Sequence, residues 1–173
     1  MTTPDCWKLI ADAAREAAEP EEIPEALTAL LAKLPPEQIV GFDRWFHERL
    51  DEAYTWDLWA AAYVMMGGCG DDGFEYFRCW LIAQGRETFG AVVANPDALA
   101  ELEIEDPYEC ELEGLLAATM GAFEERAGEE LPALPPELRL RADPVGTPFD
   151  EDSEEDMRGR CPRLFEKYWA EAE

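Results

Sequence analysis

Apolar residues recur along this chain three and four positions apart, the period of amphipathic helices, with prolines and glycines marking the ends. A Thr-Pro start in TTPDCWKLIADAAREAAEP precedes Trp7, Ile10, Ala14 and Ala17, and Pro20 closes that helix. PEALTALLAKLPP carries Leu27, Leu30, Leu31 and Leu34 and predicts a short second helix. The clearest stripe lies in PPEQIVGFDRWFHERLDEAY, where Ile39, Phe42, Phe46, Leu50 and Ala53 share one face and charged residues take the other.

TWDLWAAAYVMM is apolar at almost every position, which predicts a helix buried on all sides, stopped by Gly67 and Gly68. From Asp72 onward, Phe74, Phe77 and Leu81 lie on one side and Tyr76, Trp80 and Ala83 on another. The helices at 56–66 and 72–85 are therefore expected to form an antiparallel central pair wrapped by the others. RETFGAVVANPDALAELE predicts a helix, a turn at Asn95-Pro96 with Asn95 as cap, and a short further helix. In ECELEGLLAATMGAFEERAG, Leu112, Leu115, Leu116, Met120 and Phe123 form a stripe closed by Gly128.

Residues 129 to 154 contain five prolines and no helical period, so they predict an extended arm, in which LRLRAD could pair briefly as a strand. RLFEKYWAEAE reads as a terminal helix with Leu164, Phe165, Tyr168 and Trp169 inward. The expected fold class is mainly α: a compact single-domain helical bundle with a proline-rich acidic C-terminal arm and a terminal helix. The helical core spans 1–128, and residues 129–173 pack on the same domain.

Charge changes the functional picture. Fourteen Lys and Arg against forty Asp and Glu give a net charge of −26. Phosphate-binding surfaces need clustered cations, so direct binding to nucleic acid or to an anionic membrane is not expected. A surface this acidic keeps the protein soluble, meets a basic partner or mimics nucleic acid. Cys6, Cys69, Cys79, Cys110 and Cys161 are odd in number, scattered and never in a C-x-x-C pair, which points to free thiols and a cytoplasmic location. The longest apolar stretch, Leu58 to Met66, is too short to cross a bilayer.

Candidate chemistry is concentrated in GGCGDDGFEYFRCWLIAQGR, Gly67 to Arg86. Two readings fit it. In the first, Gly67, Gly68 and Gly70 supply positive φ for a sharp turn, Asp71 or Asp72 caps the next helix, and Asp72-x-x-Glu75 has capping-box spacing. In the second, Asp71, Asp72 and Glu75 hold carboxylates at the mouth of a pocket beside Arg78, walled by Trp56, Trp59, Phe74 and Tyr76. The segment lacks the calcium-loop and H-E-x-x-H patterns, so no metal or cofactor is expected. His47 is the sole histidine; it is expected to face solvent, and no local signature pairs it with Cys69 or Cys79 as a nucleophile.

CWKLI near the start, AYTWDLWAAAYVMMGGCGDDGFEYFRCWLIAQGRETF in the middle and ANPDALA after it resemble the bacterial domain-of-unknown-function family 4240. The resemblance runs from about Asp5 to about Gly128. It implies that Trp7, Trp56, Asp57, Trp59, Gly68, Asp71, Asp72, Phe74, Phe77, Arg78, Trp80, Gly85 and Pro96 are signature positions. It brings no reaction with it. The leading functional expectation is a non-enzymatic intracellular binding or regulatory protein that turns its acidic surface toward a basic protein partner. The alternative is an enzyme or small-ligand receptor whose pocket uses Asp71, Asp72 and Arg78.

Overall fold

The computed structural model describes residues 2–138 and 141–169. Helices α1 (Thr3–Glu16), α2 (Ile23–Leu31), α3 (Pro36–Glu52), α4 (Trp56–Met66), α5 (Asp71–Ala83), α6 (Arg86–Ala94) and α7 (Leu115–Ala127) build the bundle. Short 3₁₀ turns at Pro96–Glu101 and Pro107–Glu109 connect α6 to α7. After an arm come α8 (Glu154–Arg160) and α9 (Pro162–Leu164), the latter continued by a π-helical turn at Phe165–Trp169. Among the described residues the only β pairing is an isolated parallel bridge between Thr55 and Val145. The protein is mainly α, as the periodicity predicts.

The helices form where apolar stripes can be buried. On α3, Ile39, Phe42, Phe46, Leu50 and the adjoining Ala53 are all sealed in the core, as expected. On α1 the buried set is Cys6, Trp7, Ile10 and Ala13, whereas Ala14, assigned to that stripe from spacing, is exposed. The 6-10-13 spacing puts Ala13 on the buried stripe, so Ala14 turns outward. A similar rotation occurs on α7: Leu115, Ala118, Thr119, Ala122 and Phe123 face inward, and Met120 is 55% exposed. Small residues on that face let α7 approach α2 and α3, which a methionine there would prevent.

The expected central pair needs correction. α4 is buried along most of its length, but it packs more extensively on α8 and on the final turn than on α5. The C-terminal segment contributes Met157, Cys161, Leu164 and Phe165 to the same core as α1–α7. Asn95 sits at the cap position before Pro96, but its side chain makes no cap bond. Arg139 and Leu140, the middle of the LRLRAD strand expected from the sequence, lie outside the described residues, as do 170–173 of the terminal helix. Tyr168 and Trp169 are half-buried beside the buried Leu164 and Phe165.

Asp97 holds the C-terminal helices in place. It is 7% exposed, and its Oδ1 accepts from the main-chain N–H groups of Arg163 and Leu164, both at 3.0 Å. Its Oδ2 accepts from Arg163 Nε at 3.0 Å. Asp97 thus caps a helix distant in sequence, satisfying amide groups that α9 cannot satisfy itself.

Candidate functional site

The α4–α5 junction is built by two left-handed glycines. Gly67 (φ 66°) and Gly68 (φ 130°) take backbone conformations that a β-carbon resists, and Gly68 N donates to the Tyr63 carbonyl at 2.9 Å. Gly70 does not need that freedom, because its φ is −79°. It is the N-cap residue of α5, and its carbonyl accepts from Phe74 N at 2.9 Å. The helix therefore begins one turn position earlier than a cap at Asp71 or Asp72 would allow. Both aspartates lie in the first turn, where the helix dipole favours their charge, and neither side chain bonds a backbone amide among the described residues.

Trp59 clamps this turn by donating from Nε1 to the Cys69 carbonyl at 2.8 Å. Its ring stacks on Trp56 on one side, with centroids 5.1 Å apart, and on Phe74 on the other, 4.9 Å apart. Next in the column is Arg78, 3% exposed, its guanidinium lying over the rings of Tyr54 and Phe74. Arg78 Nε donates to the Phe74 carbonyl at 3.3 Å and Nη1 to the Leu50 carbonyl at 2.9 Å. Burial depresses its pKa from the ordinary arginine range, while the field of Glu75 opposes that fall. No carboxylate lies within ion-pair distance of Arg78 among the described residues.

Two clefts open beside this column. The first, about 330 Å³, brings together Asp71, Asp72, Glu75 and Arg78, with Tyr54 and Trp59 as its aromatic wall and Arg141 of the arm across from them. The second, about 480 Å³, shares Trp59 and Asp71 with the first and adds Trp56, Phe149, Glu151 and Asp152. Of the eight residues given to the pocket from sequence, Asp71, Asp72, Glu75, Arg78, Trp56 and Trp59 line one or the other cleft, whereas Phe74 is sealed in the core behind them. Tyr76 lines neither, because its hydroxyl donates to Glu113 at 3.2 Å and its carbonyl accepts from Leu112 N. The side chains of Asp71, Asp72 and Glu75 make no hydrogen bond or ion pair among the described residues.

The arm completes both clefts, and sequence reasoning did not place it there. Trp56 N donates to the Val145 carbonyl at 2.9 Å and Val145 N to the Tyr54 carbonyl at 3.0 Å. Arg141 makes a bidentate pair with Asp51, and Arg160 reaches Asp57 at 2.6 Å and the Thr147 carbonyl at 3.0 Å. Arg141 and Arg160, two of the five arginines that interrupt the acidic tail, were the available signal, since a charge of this kind seeks an acidic partner.

The arrangement suits cations and polar molecules better than thiol chemistry. Burial pushes the Cys69 thiol up to about 12, and Glu111 adds to the effect, which suppresses the thiolate. His47 and Cys69 line different clefts. Among the described residues no group of three His, Cys, Asp or Glu side chains is placed to hold a metal ion, and no helix is long and apolar enough to cross a membrane.

The sequence model of the family described as "Protein of unknown function (DUF4240)" matches residues 1–125, and the chain belongs to that family. No curated protein and no solved structure matches it. The matched region contains the glycine turn, Asp71, Asp72, Glu75 and Arg78; Arg141 and Phe149, the far walls of the clefts, lie beyond it.

Proposed function

We propose that this DUF4240 chain is a non-enzymatic intracellular binding or regulatory protein that engages a basic protein partner through its acidic surface, centred on the α4–α5 junction. The observation that carries this reading is that Asp71, Asp72 and Glu75 surround an aromatic-walled cleft without internal partners. Carboxylates left unpaired beside Trp59 and Tyr54 favour lysine and arginine side chains, which gain from both the charge and the ring faces. The net charge of −26 adds long-range attraction, which accelerates encounter with a basic surface and weakens as salt rises.

The test is capture from lysate at low and high salt, using the wild-type chain and an Asp71→Asn, Asp72→Asn, Glu75→Gln triple variant. A basic partner retained by the wild type at low salt, released at high salt and lost in the triple variant is the expected result. Recovery of no basic protein at either salt, or undiminished capture by the variant, overturns it.

One observation favours a second reading, a small-ligand receptor or enzyme. Arg78 and Arg141 line the same cleft as the carboxylates. With Nε and Nη1 of Arg78 engaged, Nη2 is its nitrogen left for a ligand carboxylate or phosphate, while Asp71 or Asp72 serves as acid, base or cation ligand. A stable Asp71→Asn or Asp72→Asn protein that loses an enzymatic activity would favour this reading over the first.

A further inference from the structure

A third cleft, about 490 Å³, lies away from the α4–α5 junction and shares no lining residue with its clefts. It runs between α3, α7 and the arm at residues 130–134. At its base is Asp43, only 3% exposed although it sits on the core stripe of α3 between Ile39 and Phe46. Asp43 Oδ1 accepts from the Thr119 hydroxyl at 2.8 Å; Oδ2 has no partner among the described residues and is not sealed from solvent. No lysine or arginine lines the cleft. Asp43 Oδ1 also lies 3.6 Å from His47 Nδ1, an ion pair only when that ring is protonated; beside a neutral ring, a carboxylate this buried has no compensating cation.

His47, one turn along α3, lines the same cleft. Its Nδ1 lies 2.9 Å from the Asp43 main-chain oxygen, which can only accept, so Nδ1 carries the hydrogen and Nε2 is the ring nitrogen left with a lone pair in the neutral form. Glu124 and Glu130 stand at the rim. The remaining walls are apolar: Leu116, the exposed Met120, Leu131 and Leu134. Its ionisable side chains are thus carboxylates and one imidazole lone pair around an apolar trough, in the size range of small-molecule sites.

We propose that this cleft binds a small amphipathic amine, its ammonium group on Asp43 Oδ2 and His47 Nε2 and its apolar body along Met120, Leu116 and Leu131. The ammonium supplies the missing cation and donors, and its hydrocarbon covers the exposed methionine. Charge complementarity selects the class: an organic anion would meet Asp43, Glu124 and Glu130, and a neutral alcohol would leave the Asp43 charge uncompensated.

The test is calorimetric titration of the full chain with octylamine, octanol and octanoate. Saturable one-to-one binding of octylamine, with octanol at least tenfold weaker and octanoate unbound, is the expected result. Asp43→Asn, which can still accept from Thr119, should weaken octylamine at least tenfold. Ala133→Trp, an exposed arm position that fills the trough, should abolish binding, and it decides the matter if the Asp43 variant does not fold. Asp71→Asn should leave octylamine binding unchanged, which separates this site from the α4–α5 junction. Absence of saturable binding, octanol binding as tight as octylamine, or octylamine binding that survives Ala133→Trp overturns the proposal.

Discussion

Arg78 on α5 closes the end of α3 by donating through Nη1 to the main-chain oxygen of Leu50 at 2.9 Å. The local backbone leaves that oxygen open: Ala53 N goes to Arg49 and Asp51, and Tyr54 N goes to Asp51. A guanidinium is well suited to the place, because the C-terminal end of a helix carries partial negative charge and unpaired carbonyls. One side chain thus satisfies a helix end, braces the aromatic column and presents its remaining nitrogen to a cleft.

Replacing Arg78 by methionine should destabilise the protein by about 3 kcal/mol, since two carbonyl partners of a buried charged donor lose their bonds. Arg78→Lys should recover less than half of that, because an ammonium cannot hold both carbonyls and stack on Tyr54. Urea unfolding followed by tryptophan fluorescence measures both; a cost below about 0.5 kcal/mol for methionine would contradict the bracing role.

Asp71 and Asp72 lie inside the first turn of α5, so alanine and asparagine should have nearly the same effect at each position. The loss should not exceed about 1 kcal/mol, the scale of a charge near a helix N-terminus. A cap would instead tolerate asparagine and suffer from alanine. Thermal melting of the four single variants distinguishes the cases.

Asp97→Ala should release α9, because the main-chain amides of Arg163 and the buried Leu164 lose their acceptor. The lost cap alone is worth about 2 kcal/mol. Limited proteolysis should then cut near Ser153, where the wild type is protected by its docked C-terminal helices. Equal protease resistance in the two proteins would show that the apolar contacts of Leu164 and Phe165 suffice.

Burial raises all five thiols, Cys6 to about 11 and Cys69, Cys79, Cys110 and Cys161 to about 12, against an ordinary value of 9.0. The unfolded chain therefore releases thiol protons first as pH rises, so this contribution to stability is whole below pH 9.0 and is lost toward pH 12. Melting temperature should fall over that window, and less steeply in a Cys79→Ala, Cys161→Ala double variant. At pH 8 a thiol reagent should label the native protein slowly and all five cysteines rapidly in denaturant.

The regular helices were legible because burying an apolar stripe imposes its period on the chain, and that constraint is local. Ile39 to Ala53 shows it directly, while Trp56 to Met66, apolar at almost every position, was legible as a helix buried on all sides. Where adjacent residues compete for the inward face, as the two alanines Ala13 and Ala14 do, or the smaller Thr119 with Met120, periodicity alone leaves the rotation open. The partner helix decides it. Asp43 was hidden in the charged face assigned to α3, although its spacing from Ile39 and Phe46 placed a carboxylate on the apolar stripe and was the available signal.

By itself, the sequence determined the mainly α class, the sharp glycine turn at residues 67 and 68, the strong negative charge and the segment where aromatic and acidic groups concentrate. Each follows from local rules: side-chain period, the steric freedom of glycine and the count of ionisable groups. Only the tertiary structure decided that Arg78 bonds the end of α3 instead of Asp71, that Asp97 caps a helix far along the chain, and that the arm walls the clefts. Those outcomes depend on which unsatisfied backbone groups and unpaired charges meet once the core has closed, and no local pattern encodes that meeting.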